Sequence, residues 1–183
     1  MGCANVVVPP TSPVKPRAVY LLDHGRHASL VLPAAATGIV RYSYGDWTYY
    51  ALRETSIVET SSAALWSTQA ALGRRALDNS ADPAEVRRAL KVGIEGLYEI
   101  VVDSDDVDQL RRRLDGLYRA NHDTRIYNSV YDLEFVHHPQ PYTLFHNSNR
   151  VIAEWLRELD CQVRGLLLFS NWKVKSSEPS ISG

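Results

Sequence analysis

Apolar positions along this chain fall first into short continuous runs and later into helically spaced stripes. Residues 18–22, AVYLL, and 28–32, ASLVL, are unbroken apolar runs and predict buried strands. The polar stretch DHGRH between them predicts a turn. PAAATG then reverses the chain at Pro33 and Gly38. The following IVRYSYG is rich in β-branched and aromatic residues, so residues 28–32 and 39–45 predict a hairpin. SSAALWSTQAALG, residues 61–73, begins with serine caps, ends on Gly73 and predicts a helix. PAEVRRALKVG predicts a shorter one.

GLYEIVV predicts a strand. The next segment, DSDDVDQLRRRLDGLYRA, puts acids in its first turn and aligns Val107, Leu110, Leu114 and Leu117, the mark of an amphipathic helix. YDLEFVHH predicts a short strand or an extended lead-in. From Arg150 the stripe Ile152, Trp155, Leu156, Leu159 predicts another helix. RGLLLFS predicts a late strand, and SSEPSISG a flexible tail. Strands first, then strands mixed with helices, predict an α+β fold with a mostly antiparallel sheet. The division is a tether over 1–17, one domain over 18–175 and a tail over 176–183.

Composition changes this picture little. The 183 residues are 45 % apolar and 22 % charged, with a formal net charge of -1. Such a chain builds one core without metal or disulfide staples. Near-neutral charge gives no general affinity for nucleic acid. The arginines of LRRRLDGLYR lie among acids on one predicted helix and read as a solvated face. No apolar run reaches the roughly 18 residues of a membrane span.

Only two cysteines occur. Cys3, in MGCANVVVPPTSPVKPR, follows a glycine and precedes a proline-rich stretch. This resembles the end of a bacterial lipoprotein signal, in which the cysteine carries the lipid. Myristoylation at Gly2 fits less well, because Val6 stands where that pattern has Ser or Thr. A chance match is the third reading. Cys161, at a predicted helix end, reads as a small buried residue.

Candidate chemistry lies at two distant places. His27 opens the strand ASLVL. Counting along the predicted hairpin sets Tyr44 opposite it, with Tyr42, Tyr44 and Asp46 sharing its face. A phenol or carboxylate there would orient the imidazole. Far downstream, HNSN places Ser148 at a predicted helix start, where backbone N–H groups can hold an oxyanion and Asn147 or Asn149 can add a donor. Each residue has a plain alternative. Ser and Asn before a helix are common N-caps, and YGD is an ordinary strand end. The six histidines match no known zinc spacing; a metal shared by His24, His27 and His146 is the remaining variant, and the preferred reading has no metal and no cofactor.

Three blocks carry a resemblance. VYLLDHGRHASLVLP, RYSYGDWTYYAL and PYTLFHNSNRVIAEWLRELDCQVRG resemble, in order, the blocks of the DUF2459 family of bacterial envelope proteins. That family is similar to circularly permuted NlpC/P60, papain-like proteins. The resemblance spans residues 18–165 and leaves the middle unmatched. It implies a permuted papain-like fold; with the lipoprotein reading of Cys3, the expected place is the periplasmic side of the envelope, lipid-anchored. It implies His27 as base, Tyr44 or Asp46 as its orienting partner, and a hydrolase or acyltransferase acting on an amide or ester. Ser148 falls where the family has cysteine. Hydroxyls are far harder to deprotonate than thiols, so a natural serine enzyme, an engineered replacement and a divergent, inactive member all remain open. The inactive alternative is a binding module for a peptidoglycan fragment, a lipid or an envelope protein.

Overall fold

The computed structural model describes residues 4–52, 68–78, 82–143 and 145–175. Its centre is a seven-stranded sheet in the order β6-β2-β3-β4-β5-β8-β7. The strands are β2 Pro16–Asp23, β3 Ala28–Pro33, β4 Ile39–Asp46, β5 Thr68–Leu77, β6 Gly96–Asp103, β7 Ile126–Asn128 and β8 Leu133–Tyr142. Every pairing within it is antiparallel. The chain is therefore α+β with a large antiparallel sheet, as the pattern predicts.

Each face of this sheet carries its own core. Val19, Leu21, Ala28, Leu30, Tyr42, Tyr44, Leu72 and Val136 point to one side. There they meet the apolar stripes of α3, Ser104–Ala120, and α4, Ser148–Glu158. We call this the helix face. On the reverse face Tyr20, Leu22, Val31 and Ile39 pack on Val86 and Leu90 at α2, Pro83–Ala89. Further along it, Ala71, Leu133 and Phe135 pack on Trp47 and Tyr50 of the short α1, Trp47–Tyr50. Strict alternation sends neighbouring residues to opposite cores.

Asn5–Val8, inside the stretch expected to be a tether, is instead β1, the middle strand of a second sheet. It runs parallel to β10, Trp172–Val174, and antiparallel to β9, Gln162–Arg164. Val7, Val163 and Trp172 join the helix-face core. The tail 176–183 lies outside the described residues.

Two further expectations change. Residues 68–73, the end of a predicted helix, belong to β5, held between β4 and β8; residues 61–67 of that helix lie outside the described residues. Ala, Gln and Leu are good helix formers, but propensity is worth only tenths of a kcal/mol per residue, and pairing with two flanking strands outweighs it. Of RGLLLFS only Arg164, the end of β9, is in a strand. Residues 165–171 connect β9 to β10 as a loop.

Candidate functional site

One turn decides where the candidate base points. β2 and β3 meet in a two-residue loop, Gly25-Arg26, closed by the His24 N–H donating to the His27 carbonyl at 3.0 Å. Gly25 has φ 84°, the positive value that the first central residue of a type II′ turn requires. His24 and His27 are thus cross-strand neighbours, and their rings stack 4.8 Å apart. Ser29 pairs with Ser43, which sets Ala28 opposite Tyr44 and His27 opposite Gly45. The predicted pairing of His27 with Tyr44 is one residue out. A one-residue shift turns a side chain to the other face. His27 accordingly lies on the reverse face, against Tyr50 and Tyr131, at centroid distances of 5.3 and 5.8 Å.

A buried cation governs the reverse-face site. Arg41 is 1 % exposed and donates from Nε to Ser29 Oγ at 3.1 Å and from Nη1 to the Tyr131 carbonyl at 3.0 Å. Ser29 Oγ also lies 2.9 Å from His24 Nε2, and His24 Nδ1 lies 2.6 Å from the Gly93 carbonyl. A carbonyl only accepts, so the His24 proton sits on Nδ1 and Nε2 accepts from Ser29. Burial first, then the Arg41 charge, lowers the His24 pKa to about 4. Burial, then His24 and Arg41, lowers that of His27 to about 3. Desolvation also lowers Arg41 to about 10. Both imidazoles are therefore neutral at neutral pH. Among the described residues no carboxylate hydrogen-bonds to His27 to stabilise an imidazolium.

Ser148 occupies the helix face. It opens α4, is 4 % exposed, and takes part in no side-chain hydrogen bond among the described residues. Its backbone N–H lies near enough to the Tyr142 hydroxyl to oppose part of the burial that raises the Tyr142 pKa. Asn147 is the N-cap, its Oδ1 accepting from the Arg150 N–H at 3.0 Å. The Asn149 Oδ1 is buried without a hydrogen-bond partner among the described residues. Asp46, expected to orient His27, is used locally. One oxygen accepts from the Tyr49 N–H at 2.9 Å and caps α1; the other accepts from the Thr68 hydroxyl.

Tyr44 meets a different histidine. Its hydroxyl lies 3.0 Å from His146 Nδ1 and 3.2 Å from the Pro141 carbonyl. His146 Nδ1 is also 3.2 Å from that carbonyl, and Nε2 is 3.8 Å from Glu154 Oε2. The Tyr44 ring stacks on Tyr142 and meets His138 edge-on at 5.0 Å. His138 Nδ1 lies 3.2 Å from the Gln140 N–H and 3.4 Å from the Gln140 carbonyl. Burial raises the pKa of Tyr44 and Tyr142 and lowers that of His138. A shallow cleft lies beside this cluster, at the register shift between Thr68 and Ala70. The cleft, about 270 Å³, is lined by Thr68, Gln69, His138, Pro139 and Pro141. Its size suits a small polar group rather than a drug-sized ligand.

The helix face thus gathers Tyr44, Ser148 and the two flanking asparagines, with Asp46 at the strand end beside them. His27 is excluded, and so is a shared site for His24, His27 and His146. Sequence reasoning passed over His138 and Tyr142. Their signal is parity with Val136 on β8, readable only once that strand is known to reach Tyr142. No family model, curated protein or solved structure matches this chain. No helix among the described residues is long and apolar enough to cross a membrane.

Proposed function

We propose that the chain is a non-catalytic binding module of the bacterial envelope. In this reading it is a lipoprotein anchored through Cys3, with a permuted papain-like layout that has lost its reaction. The observation that carries the reading is the sheet lying between the His27 ring and Ser148. Acyl transfer needs a base within about 3 Å of the nucleophile, directly or through one water. The nearer histidine in sequence, His146, directs its second nitrogen to Glu154. A cysteine at position 148 would gain from the helix N-terminus but would still lack its base. The bound partner, a peptidoglycan fragment, a lipid or an envelope protein, would use the cleft between Gln69 and Pro141.

A fluorophosphonate probe and an ester panel test this reading on the wild-type chain and on Ser148→Cys. Neither protein is expected to be labelled at position 148 or to turn over. Turnover by Ser148→Cys that disappears in Ser148→Cys/His27→Ala would overturn the reading, because it requires the two residues to meet.

A further inference from the structure

The loop between β9 and β10 exposes what a folded chain usually hides. Leu166 is 68 % exposed, Leu168 41 % and Phe169 77 %. Adjacent apolar side chains held out in this way mark an interaction surface. The loop is built, not loose. Leu167 adopts φ 57°, an uncommon conformation for a bulky residue, and this turns its own side chain into the core. The Asn5 side chain clasps the loop on both sides. Its Nδ2 donates to the Phe169 carbonyl at 2.7 Å and its Oδ1 accepts from the Leu167 N–H at 3.1 Å. A Cβ on Gly165 would come within 2.5 Å of that Oδ1, so only glycine admits the clasp. On the other flank Ser170 Oγ donates to buried Asp23, whose second oxygen accepts from the Trp172 N–H at 3.2 Å. Backbone strain is kept here to present three apolar side chains outward.

The surroundings are cationic. From Cys161 to Lys175 the chain carries Arg164, Lys173 and Lys175 and no carboxylate. Arg164 and Lys173 flank Val6 in one cross-strand row of the small sheet. Arg26, exposed on the Gly25-Arg26 turn, lies beside the loop, because Ser170 also reaches the His27 carbonyl at 3.2 Å. None of these four cations is in an ion pair among the described residues. Two carboxylates lie at this turn: Asp23, buried and bonded to Gly25, Ser170 and Trp172, and Glu95 beside Gly25. An apolar tip with a basic rim is the chemistry of peripheral binding to anionic lipid.

We propose that the Gly165–Ser170 loop docks on the surface of an anionic bilayer. Leu166, Leu168 and Phe169 enter the boundary between headgroups and acyl chains, while Arg26, Arg164, Lys173 and Lys175 meet lipid phosphates. Asn5, two positions after Cys3, is bonded to this loop, so an anchor at Cys3 and the loop would engage the same membrane. The proposal rests on the envelope reading above for the presence of that membrane, but not on lipidation.

The test is co-sedimentation of the full, unlipidated chain with vesicles of phosphatidylcholine, alone or mixed in equal parts with phosphatidylglycerol. The wild type is expected to pellet with the mixed vesicles and less with the neutral ones. Phe169→Ser, and Leu166→Ser/Leu168→Ser/Phe169→Ser, are expected to weaken binding, the triple variant by about tenfold or more. Lys173→Glu/Lys175→Glu is expected to lose the preference for phosphatidylglycerol. Thermal unfolding of each variant at the wild-type temperature confirms that the fold is kept. A wild type that stays in the supernatant, or a folded Phe169→Ser that pellets like it, overturns the proposal. Self-association of the wild type without vesicle binding, abolished by the triple variant, overturns it in favour of a second copy as occupant. None of these outcomes bears on the Ser148→Cys test.

Discussion

The two faces of the sheet hold the same kinds of side chain in opposite settings. On the reverse face His24, His27, Tyr50 and Tyr131 gather near Arg41, and among the described residues no carboxylate hydrogen-bonds to the imidazoles. On the helix face His138, His146, Tyr44 and Tyr142 stand beside Glu154 and a cleft. Imidazole chemistry follows the surroundings rather than the residue type. The reverse-face pair is held neutral by burial and a neighbouring cation, which suits a structural role. The helix-face pair has a nearby carboxylate and access to a cleft, which suits recognition.

The contrast can be broken most sharply at Arg41. Arg41→Ala leaves a cavity and removes the Arg41 hydrogen bonds to the Ser29 hydroxyl and the Tyr131 carbonyl. A loss of about 4 kcal/mol is expected in urea unfolding, from cavity and unmet polar groups together. Tyr44→Phe on the helix face is expected to cost about 1 kcal/mol, one hydrogen bond. Equal costs would mean that the reverse-face site is not the structural one.

Acid separates the faces next. The folded values of His24 and His27, about 4 and about 3, lie below the ordinary 6.5. Below pH 6.5 the unfolded chain therefore takes up protons that the folded chain refuses. The stability contributed by neutral burial is complete above pH 6.5 and declines as pH falls toward about 4 and about 3. Between pH 6.5 and 5.5 the two rings together cost about 2 kcal/mol. Urea midpoints across this interval should fall, and His27→Gln should remove roughly half of the slope. A flat profile would show that one or both rings accept protons while folded.

The smallest effects lie within one turn of α4. Asn147→Ala should cost about 1 kcal/mol through the lost N-cap, whereas Ser148→Ala should stay within about 0.5 kcal/mol. The reverse order, read from thermal unfolding, would mean that the Ser148 hydroxyl holds a contact the Asn147 cap does not.

Most elements were legible because their burial is one-sided and local. Val107, Leu110 and Leu114 write α3 directly, and Ile152, Trp155 and Leu156 write α4. The strand at Thr68–Leu77 was not, because its Ala, Gln and Leu residues favour helix locally and its strand partners lie far along the chain. The site was half legible. Tyr44 and Ser148 do share a face, whereas His27 was assigned to it through a pairing one residue out.

By itself the sequence determined the hairpin of residues 28–32 and 39–45, the polar turn before it, the two long helices and a helix cap somewhere within Asn147–Asn149. Each depends on contacts within a few residues or on one periodic stripe. Only the tertiary structure decided which face His27 takes, that Asn5–Val8 is a central strand, and that Leu166, Leu168 and Phe169 stand clear of the core. Those outcomes rest on strand register and on pairing between distant segments. Register has a period of two, so an error too small to notice in a pattern is enough to move a histidine through the sheet.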